Sequence, residues 1–262
     1  HGAGEEVHTA MAFSLVCGLG MTVIGLLFGR TALEAMGTPA EIMDYSLSYL
    51  NIYFIGIITN LIYNMGSGIL RAIGDSKRPL YFLMASCLTN IVLDIVLVVV
   101  LRMEVRGAAI ATVFSQLVSA ILVVFALMRT TDSYKLIIRK IRLNLFMVKR
   151  IIKIGLPAGL QSVMYALSNI IIQSSVNALG TDTIAAWTAY GKVDGIFWMI
   201  MGAYGVAITT FAGQNFGAGK YDRIHKSVRV CLGMAAFTSV LLSAIVLISI
   251  CIKCGEGGGE KG

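Results

Sequence analysis

Apolar runs of membrane-spanning length alternate with short polar segments along almost the whole chain. A transmembrane helix needs roughly 20 predominantly apolar residues. Seven runs approach or exceed that length, and most charged residues lie between the runs and not within them. The pattern therefore predicts about seven transmembrane helices, at residues 9–29, 45–69, 79–101, 107–128, 154–179, 184–212 and 228–252.

A long basic segment divides the predicted helices into two groups. Residues 1–128 hold four helices and residues 154–252 hold three, with a cytoplasmic amphipathic linker at residues 129–153 between them. Residues 1–8 are expected to form a loop that leads into the first helix. Residues 253–262 are rich in Gly, Glu and Lys and are expected to be disordered, because they have few apolar side chains to bury.

The composition favours an all-α polytopic membrane protein. Hydrophobic residues make up 57% of the 262 residues and charged residues only 13%, whereas a soluble domain carries about 25% charged residues. The net charge of +7 does not predict a nucleic-acid partner, since Lys and Arg collect in the cytoplasmic loops of membrane proteins. Most of the basic residues lie in alternate loops, which predicts that these loops and residues 1–8 are cytoplasmic. The basic residues of these loops are Arg71, Lys77, Arg78, Arg129, Lys135, Arg139, Lys140, Arg142, Lys149, Arg150, Lys153, Lys220, Arg223, Lys226 and Arg229.

The linker combines its positive charge with an apolar face. Leu136, Ile137, Ile141, Leu145 and Val148 fall near one side of a helix, with Lys and Arg elsewhere. This pattern favours an amphipathic helix that lies on the inner membrane surface and joins the two groups of spans. A solvated linker without a helix is the alternative.

One carboxylate lies inside the third predicted helix. Asp94 is surrounded by apolar residues, and Asn90 lies four residues earlier on the same helical face. A charged residue at the bilayer centre costs at least ~2.5 kcal/mol on insertion scales, so it normally faces a cavity or a partner. We interpret the pair as a site for H⁺ or Na⁺, because a carboxylate shielded from water can load and release a proton near neutral pH. A hydrogen bond between helices is the alternative.

The fifth predicted helix carries a stripe of polar residues spaced four apart. That spacing drifts only about 40° per step around a helix. Amide groups that face lipid are unfavourable, so the stripe must face protein or water. The pattern predicts the wall of a substrate cavity, with interhelical hydrogen bonding as the alternative. The stripe consists of Gln161, Tyr165, Asn169, Gln173 and Asn177.

The second predicted helix has a comparable face that combines aromatic rings with amides. Such rings can hold a flat organic cation by stacking or by cation–π contact. The alternative for the outermost ring is a place in the aromatic belt at the membrane interface. This face consists of Tyr49, Tyr53, Asn60 and Asn64.

Two charges, Lys192 and Asp194, lie inside the sixth predicted helix. Residues two apart point to different faces of a helix, so these side chains need not pair with each other. We expect both to face a central cavity. Lys192 alternatively extends its ammonium group toward the outer membrane surface.

Several motifs together resemble one transporter family. Gly-Ala-Gly occurs at Gly2–Gly4 and again at Gly217–Gly219, and repeated helical halves are common in transporters. Neither copy has the strand or the Gly-Lys-Ser/Thr sequence of a phosphate-binding loop. With its other motifs, the chain resembles the multidrug and toxic compound extrusion (MATE) family, in the prokaryotic DinF-like branch. The motifs are GQNFGAG (213–219), LRAIGDSKRP (70–79), NIVLD (90–94), GAAIAT (107–112) and GLPAG (155–159).

This resemblance implies a fold of twelve helices in two six-helix lobes, of which the seven predicted here match the third to the ninth. The chain is therefore expected to be part of a longer protein. The resemblance also implies a cation site formed by Asp94, Asn90 and Thr112. Some branches carry a Glu eight residues after a Pro on the seventh helix, but Tyr165 stands eight residues after Pro157, so a second-lobe sodium site is not expected.

The function implied is export of drug-like, often cationic compounds by a cation-coupled antiporter in the prokaryotic cytoplasmic membrane. A lipid-linked oligosaccharide flippase of the same superfamily and an inactive fragment are the alternatives. An enzyme is not expected, since no His lies inside a predicted span. We expect no cofactor besides the coupling ion, no metal except Na⁺ at Asp94, no nucleic-acid partner, and a monomer at full length.

Overall fold

The computed structural model describes residues 2–35, 38, 40–132, 134–177 and 179–257. Within these residues, seven helices are long and apolar enough to cross a membrane, which confirms an all-α, multi-pass membrane protein. Each predicted span overlaps one observed helix, but most of the helices extend several residues beyond the predicted bounds. The helices are α1 (Gly2–Ala35), α2 (Ala40–Ala72), α3 (Lys77–Asp94), α4 (Glu104–Arg129), α5 (Leu145–Asn177), α6 (Thr181–Gly217) and α7 (Tyr221–Gly257).

The chain forms two compact units, His1–Ala158 and Gly159–Gly262. In the first unit, the main helix contacts order the helices in a row, α1–α2–α4–α3. Glycines allow these helices to approach closely. A Cβ atom on Gly25 would lie 2.2 Å from the ring of Phe54, and one on Gly56 would lie 2.4 Å from Val113.

Side-chain hydrogen bonds to backbone carbonyls connect the same helices. The Thr22 hydroxyl of α1 donates to the carbonyl oxygen of Phe54 of α2 at 2.7 Å. The Tyr63 hydroxyl of α2 donates to the carbonyl oxygen of Pro79 of α3 at 3.0 Å. Because apolar packing is no better inside a bundle than against lipid, such polar contacts and close approaches hold membrane helices together.

The third span does not continue as one α-helix. After Asp94 the chain forms a π-helical segment, Ile95–Val100, followed by a tight turn into α4. The backbone N–H of Leu101 donates to the carbonyl oxygen of Val96 at 2.9 Å. Arg102 and Glu104 have φ of 52° and 49°, a left-handed conformation that is uncommon outside glycine. The hydrophobic run of residues 79–101 predicts the length of the span but not the change from α-helical to π-helical winding within it.

The beginning of the chain is helical, contrary to the loop predicted for residues 1–8. α1 starts at Gly2, and His1 lies outside the described residues. Val7 is 5% exposed and packs in a cluster of buried residues that holds this end of the unit together. The Gly and Glu residues of this segment suggest a polar loop, but Val7 gives the helix a buried apolar side. The cluster consists of Val7, Met11, Leu70, Val123, Leu127 and Leu136.

The linker does not form the amphipathic helix predicted for residues 129–153, of which Arg129 ends α4 and residues 145–153 are the first turns of α5. Between α4 and α5, regular structure is limited to a 3₁₀ turn, Ile138–Lys140, within the described residues. Leu136 is 2% exposed, and its N–H donates to the carbonyl oxygen of Leu127 at 2.9 Å. The apolar residues of the linker do not share one buried face, since Leu136 enters the helix bundle whereas Leu145 is 84% exposed. Tertiary packing has overridden the local helical periodicity.

In the second unit, α6 and α7 form an antiparallel pair joined by a turn in which Gly219 has φ of 69°. The hydroxyls of Tyr204 and Thr238 hydrogen-bond across the pair at 2.9 Å. α7 continues to Gly257, so residues 253–257 are helical and not disordered as predicted. Residues 258–262 of the predicted disordered tail lie outside the described residues.

Candidate functional site

Asp94 is the last residue of α3 and immediately precedes the π segment. Its side chain is half-buried, and its Oδ1 atom is buried without a hydrogen-bond partner within the described residues. The ion pairs of the described residues, Arg30–Glu34 and Arg78–Asp75, do not include it. A buried oxygen without a partner is unusual and commonly indicates a proton, an ion, an unplaced water or a functional role. π-helical segments are also frequent at functional sites.

The predicted partners of Asp94 lie on the same helix and on its neighbour. Asn90 is one turn earlier in α3, and Thr112 is on α4. Both are half-buried, and the Thr112 hydroxyl donates to the carbonyl oxygen of Ala108 at 2.9 Å. Within the described residues, no hydrogen bond joins the three side chains. The structure therefore places them on adjacent helices, with their oxygens uncommitted to one another.

Asn51 is a further candidate that sequence reasoning did not identify. Its Oδ1 atom is buried without a hydrogen-bond partner within the same described residues, like that of Asp94. It lies on α2, facing α1, where it would be 3.9 Å from a Cβ atom on Gly29. The available signal was an amide inside an apolar run, but no second amide lies three or four residues from Asn51, as Asn64 does from Asn60.

The aromatic and amide face predicted on α2 forms two separate pairs. The rings of Tyr49 and Tyr53 stack with centroids 6.4 Å apart and an interplanar angle of 12°. The Asn64 side chain donates to the Asn60 Oδ1 at 2.7 Å. The amides are thus partly satisfied by each other, whereas Tyr49 and Tyr53 remain 38% and 40% exposed.

The polar stripe on α5 is exposed over Gln161, Tyr165, Asn169 and Gln173. The side chain of Asn177, the last predicted member of the stripe, is not among those that the structure describes. Tyr165 contacts the edge of Trp198 on α6, with ring centroids 5.5 Å apart.

The two charges of α6 differ in their contacts. Tyr190 donates a 3.3 Å hydrogen bond to Asp194, whose side chain is half-buried. Lys192 is exposed, and the ion pairs found in the described part of the chain do not include it. Within the described residues, no ion pair joins Lys192 to Asp194. The second unit therefore presents a carboxylate next to an aromatic group.

Comparison with known proteins gives the family. The MatE family model matches residues 1–96 and again residues 157–252. The probable multidrug resistance protein YoeA of Bacillus subtilis is 29% identical over 231 residues, which cover 86% of this chain and 50% of that protein. The probable multidrug resistance protein YpnP of the same organism is 33% identical over 215 residues, covering 79% and 46%. The chain thus spans about half the length of the curated relatives it matches.

The fold agrees with the sequence comparison. An outward-facing multidrug resistance MATE transporter of the MOP superfamily superposes with a TM-score of 0.85 at 23% identity, over 94% of this chain and 55% of that one. At that identity the likeness shows the fold alone, but the family model covers most of the chain and matches it twice. The chain, with its seven long apolar helices in two units, belongs to the MatE family, the multidrug and toxic compound extrusion transporters.

Proposed function

We propose that this chain works in a secondary transporter that exports small, drug-like organic compounds in exchange for H⁺ or Na⁺. The observation that carries the proposal is the buried Oδ1 of Asp94, which has no partner among the described residues. Leaving a buried acceptor unpaired costs about 1–3 kcal/mol, and more when the group is charged. A proton or a cation that binds Asp94 removes this cost, so the site favours the loaded state.

Each residue of the site has a distinct part in this mechanism. Asp94 carries the exchangeable charge. For Na⁺, Asn90 and Thr112 supply neutral oxygens, and the Thr112 oxygen keeps its lone pairs because its proton is donated to Ala108. For H⁺, protonation of Asp94 alone suffices. Loading and release of the ion then bias two arrangements of the helices, which gives alternating access for the substrate.

The substrate class follows from exposed aromatic and polar groups on both units. Aromatic faces attract organic cations, and a nearby carboxylate increases that preference. Trp198, which is 52% exposed, meets Tyr165 edge to face, and Asp194 accepts from Tyr190. Flat, positively charged organic compounds suit these groups. The proposed substrate-contacting residues are Tyr53, Asn60, Asn64, Gln161, Tyr165, Asn169, Gln173, Lys192 and Asp194.

A flippase for lipid-linked oligosaccharides is the second candidate, and Lys192 is the observation that favours it. An exposed ammonium group inside a span, without an ion-pair partner in the described part of the chain, suits an anionic phosphate group. The other polar groups on the stripe are amides and a phenol, which carry no positive charge. Export is therefore the better-supported function. We propose that the full-length protein acts in the prokaryotic cytoplasmic membrane as a monomer.

The test is substrate accumulation in everted membrane vesicles that contain the full-length protein, driven by an imposed H⁺ or Na⁺ gradient. Asp94→Asn removes the exchangeable charge at nearly constant volume, and we expect gradient-driven accumulation to fall to background. Asp132→Asn makes the same chemical change at an exposed loop position and should leave transport unchanged. Normal, gradient-coupled transport by Asp94→Asn would refute the proposal.

A further inference from the structure

His8 joins two parts of the first unit that are far apart in sequence. Its side chain lies on α1 and is buried, with 7% exposure. Its Nε2 atom accepts a hydrogen bond from the backbone N–H of Ile137 in the linker at 3.0 Å, across 129 residues. Its Nδ1 atom is hydrogen-bonded to the carbonyl oxygen of Gly4, one turn earlier in the same helix. Both ring nitrogens are therefore engaged.

These two partners determine the protonation state of the ring. A backbone N–H can only donate, so Nε2 must be unprotonated, and a carbonyl oxygen can only accept, so Nδ1 must carry the hydrogen. This arrangement is the neutral imidazole. Protonation would place an Nε2–H directly against the N–H of Ile137, which turns an attractive contact into a repulsive one. Histidine is the side chain whose charge ordinarily changes between pH 5 and 8.

The bond to His8 fixes one point of a linker that otherwise attaches to the unit mainly through apolar side chains. Leu136, next to Ile137, is inserted in the buried cluster and donates to the carbonyl oxygen of Leu127. Beyond the linker, the chain enters α5 at Leu145, the helix that crosses into the second unit. Tyr134 and Ile141 of the linker pack against the same cluster. Apolar contacts therefore hold the linker to the unit, and the Ile137–His8 bond fixes its backbone to α1.

The surroundings of His8 contain charges of both signs. A cavity of about 410 Å³ between α1, α2, the linker and α5 is lined by Glu6, Val7, Tyr134 and Arg150, among others. Within the described residues, no ion pair joins His8 to a charged group. The titratable groups on the elements near this end of the unit include Glu5 and Glu6 of α1, Arg71 of α2, Arg129 of α4, Asp132, Tyr134, Lys135, Arg139, Lys140 and Arg142 of the linker, and Lys149, Arg150 and Lys153 of α5.

We propose that neutral His8 is a pH-sensitive latch that holds the linker against the cytoplasmic end of α1 and releases it on protonation. This device is separate from ion exchange at Asp94. It makes the attachment of the linker depend on cytoplasmic pH, because the distribution of Lys and Arg predicts that both His8 and the basic linker lie on the cytoplasmic side.

Amide hydrogen exchange of the whole chain in lipid nanodiscs tests the latch. The exchange rate of the Ile137 amide is measured between pH 5 and pH 8 and divided by its intrinsic chemical rate at each pH. The Leu101 amide, which donates to the carbonyl of Val96, is the internal reference. Loss of one hydrogen bond should lower protection roughly two- to twelvefold, so we expect protection of Ile137 to fall by a factor in that range at low pH.

Variants separate titration of His8 from general loosening. His8→Gln offers one acceptor and one donor that do not titrate in this range, and His8→Leu removes the bond altogether. We expect the pH dependence of Ile137 protection to disappear in both, and to persist in His225→Gln, which changes an exposed histidine elsewhere. Wild-type protection that is equal at both pH values, or pH dependence that survives in His8→Gln, would overturn the proposal.

Discussion

The hydroxyl of Ser86 on α3 donates a 2.6 Å hydrogen bond to the carbonyl oxygen of Ser115 on α4, and both residues are buried. Ser86 lies about two turns before Asp94, and Ser115 lies about one turn after Thr112. The bond therefore fixes the helix that carries the carboxylate against the helix that carries the proposed threonine ligand.

Ser86→Ala should weaken this attachment. A buried hydrogen bond typically contributes about 1 kcal/mol to stability, so we expect unfolding in a detergent titration to shift by about that amount. Ser175→Ala is the control, because the Ser175 hydroxyl is exposed and bonds only within its own helix, to Ile171. Equal stability of the two variants would show that the interhelical bond contributes nothing.

Gly56→Ala should force α2 and α4 apart. The added methyl would lie 2.4 Å from Val113, and overpacking of this kind costs about 1–3 kcal/mol. The double variant Gly56→Ala/Val113→Ala should recover most of the loss. Gly68→Ala, on the same helix with open space around it, should be neutral or slightly stabilising. Unfolding midpoints of the four proteins provide the measurement, and failure of the Val113 change to rescue stability would contradict the packing argument.

Asn51→Leu separates stability from transport. Replacing a buried oxygen that has no partner in the described structure with an apolar group of similar size should leave stability unchanged or raise it by about 1 kcal/mol. If the oxygen serves the transported ion or substrate, vesicle transport should nevertheless fall. A variant that loses stability would show instead that the amide has a structural partner.

Cysteines placed along the α5 stripe should be reachable from water in the full-length protein. We expect Gln161→Cys, Tyr165→Cys and Asn169→Cys to react with a membrane-impermeant thiol reagent, since amides and phenols favour a wet cavity wall. Ile170→Cys and Ile171→Cys, on the other face of the helix and equally uncovered, should be protected by lipid. Uniform protection of the stripe would favour interhelical hydrogen bonding over a cavity.

Sequence reasoning found the helices because each must cover about the thickness of a bilayer with apolar side chains, and this constraint leaves a direct record in the chain. Asp94 is predicted as a site on similar grounds, since a carboxylate is costly in an apolar run. The linker was misjudged because the burial of Leu136 depends on Leu127 and Val7, which local periodicity does not include. His8 was placed in a loop because its partner, Ile137, lies 129 residues away.

The π segment was also beyond sequence reasoning. Residues 95–100 are all apolar, so the sequence of this run does not distinguish α from π winding. The difference lies in the backbone. The N–H of Met103 donates to the carbonyl oxygen of Leu97, and a Cβ atom on Gly107 would lie 3.1 Å from that oxygen. Contacts of that kind become visible only when the turn into α4 is known.

The row α1–α2–α4–α3 gives its members unequal freedom to move. α2 has a large interface on each side, so any displacement of it disrupts two sets of glycine contacts at once. α3 stands at the end of the row, and α4 is its main neighbour within the described residues. The helix that bears Asp94 therefore stands at an end of the row, where a shift would disturb one main interface instead of two.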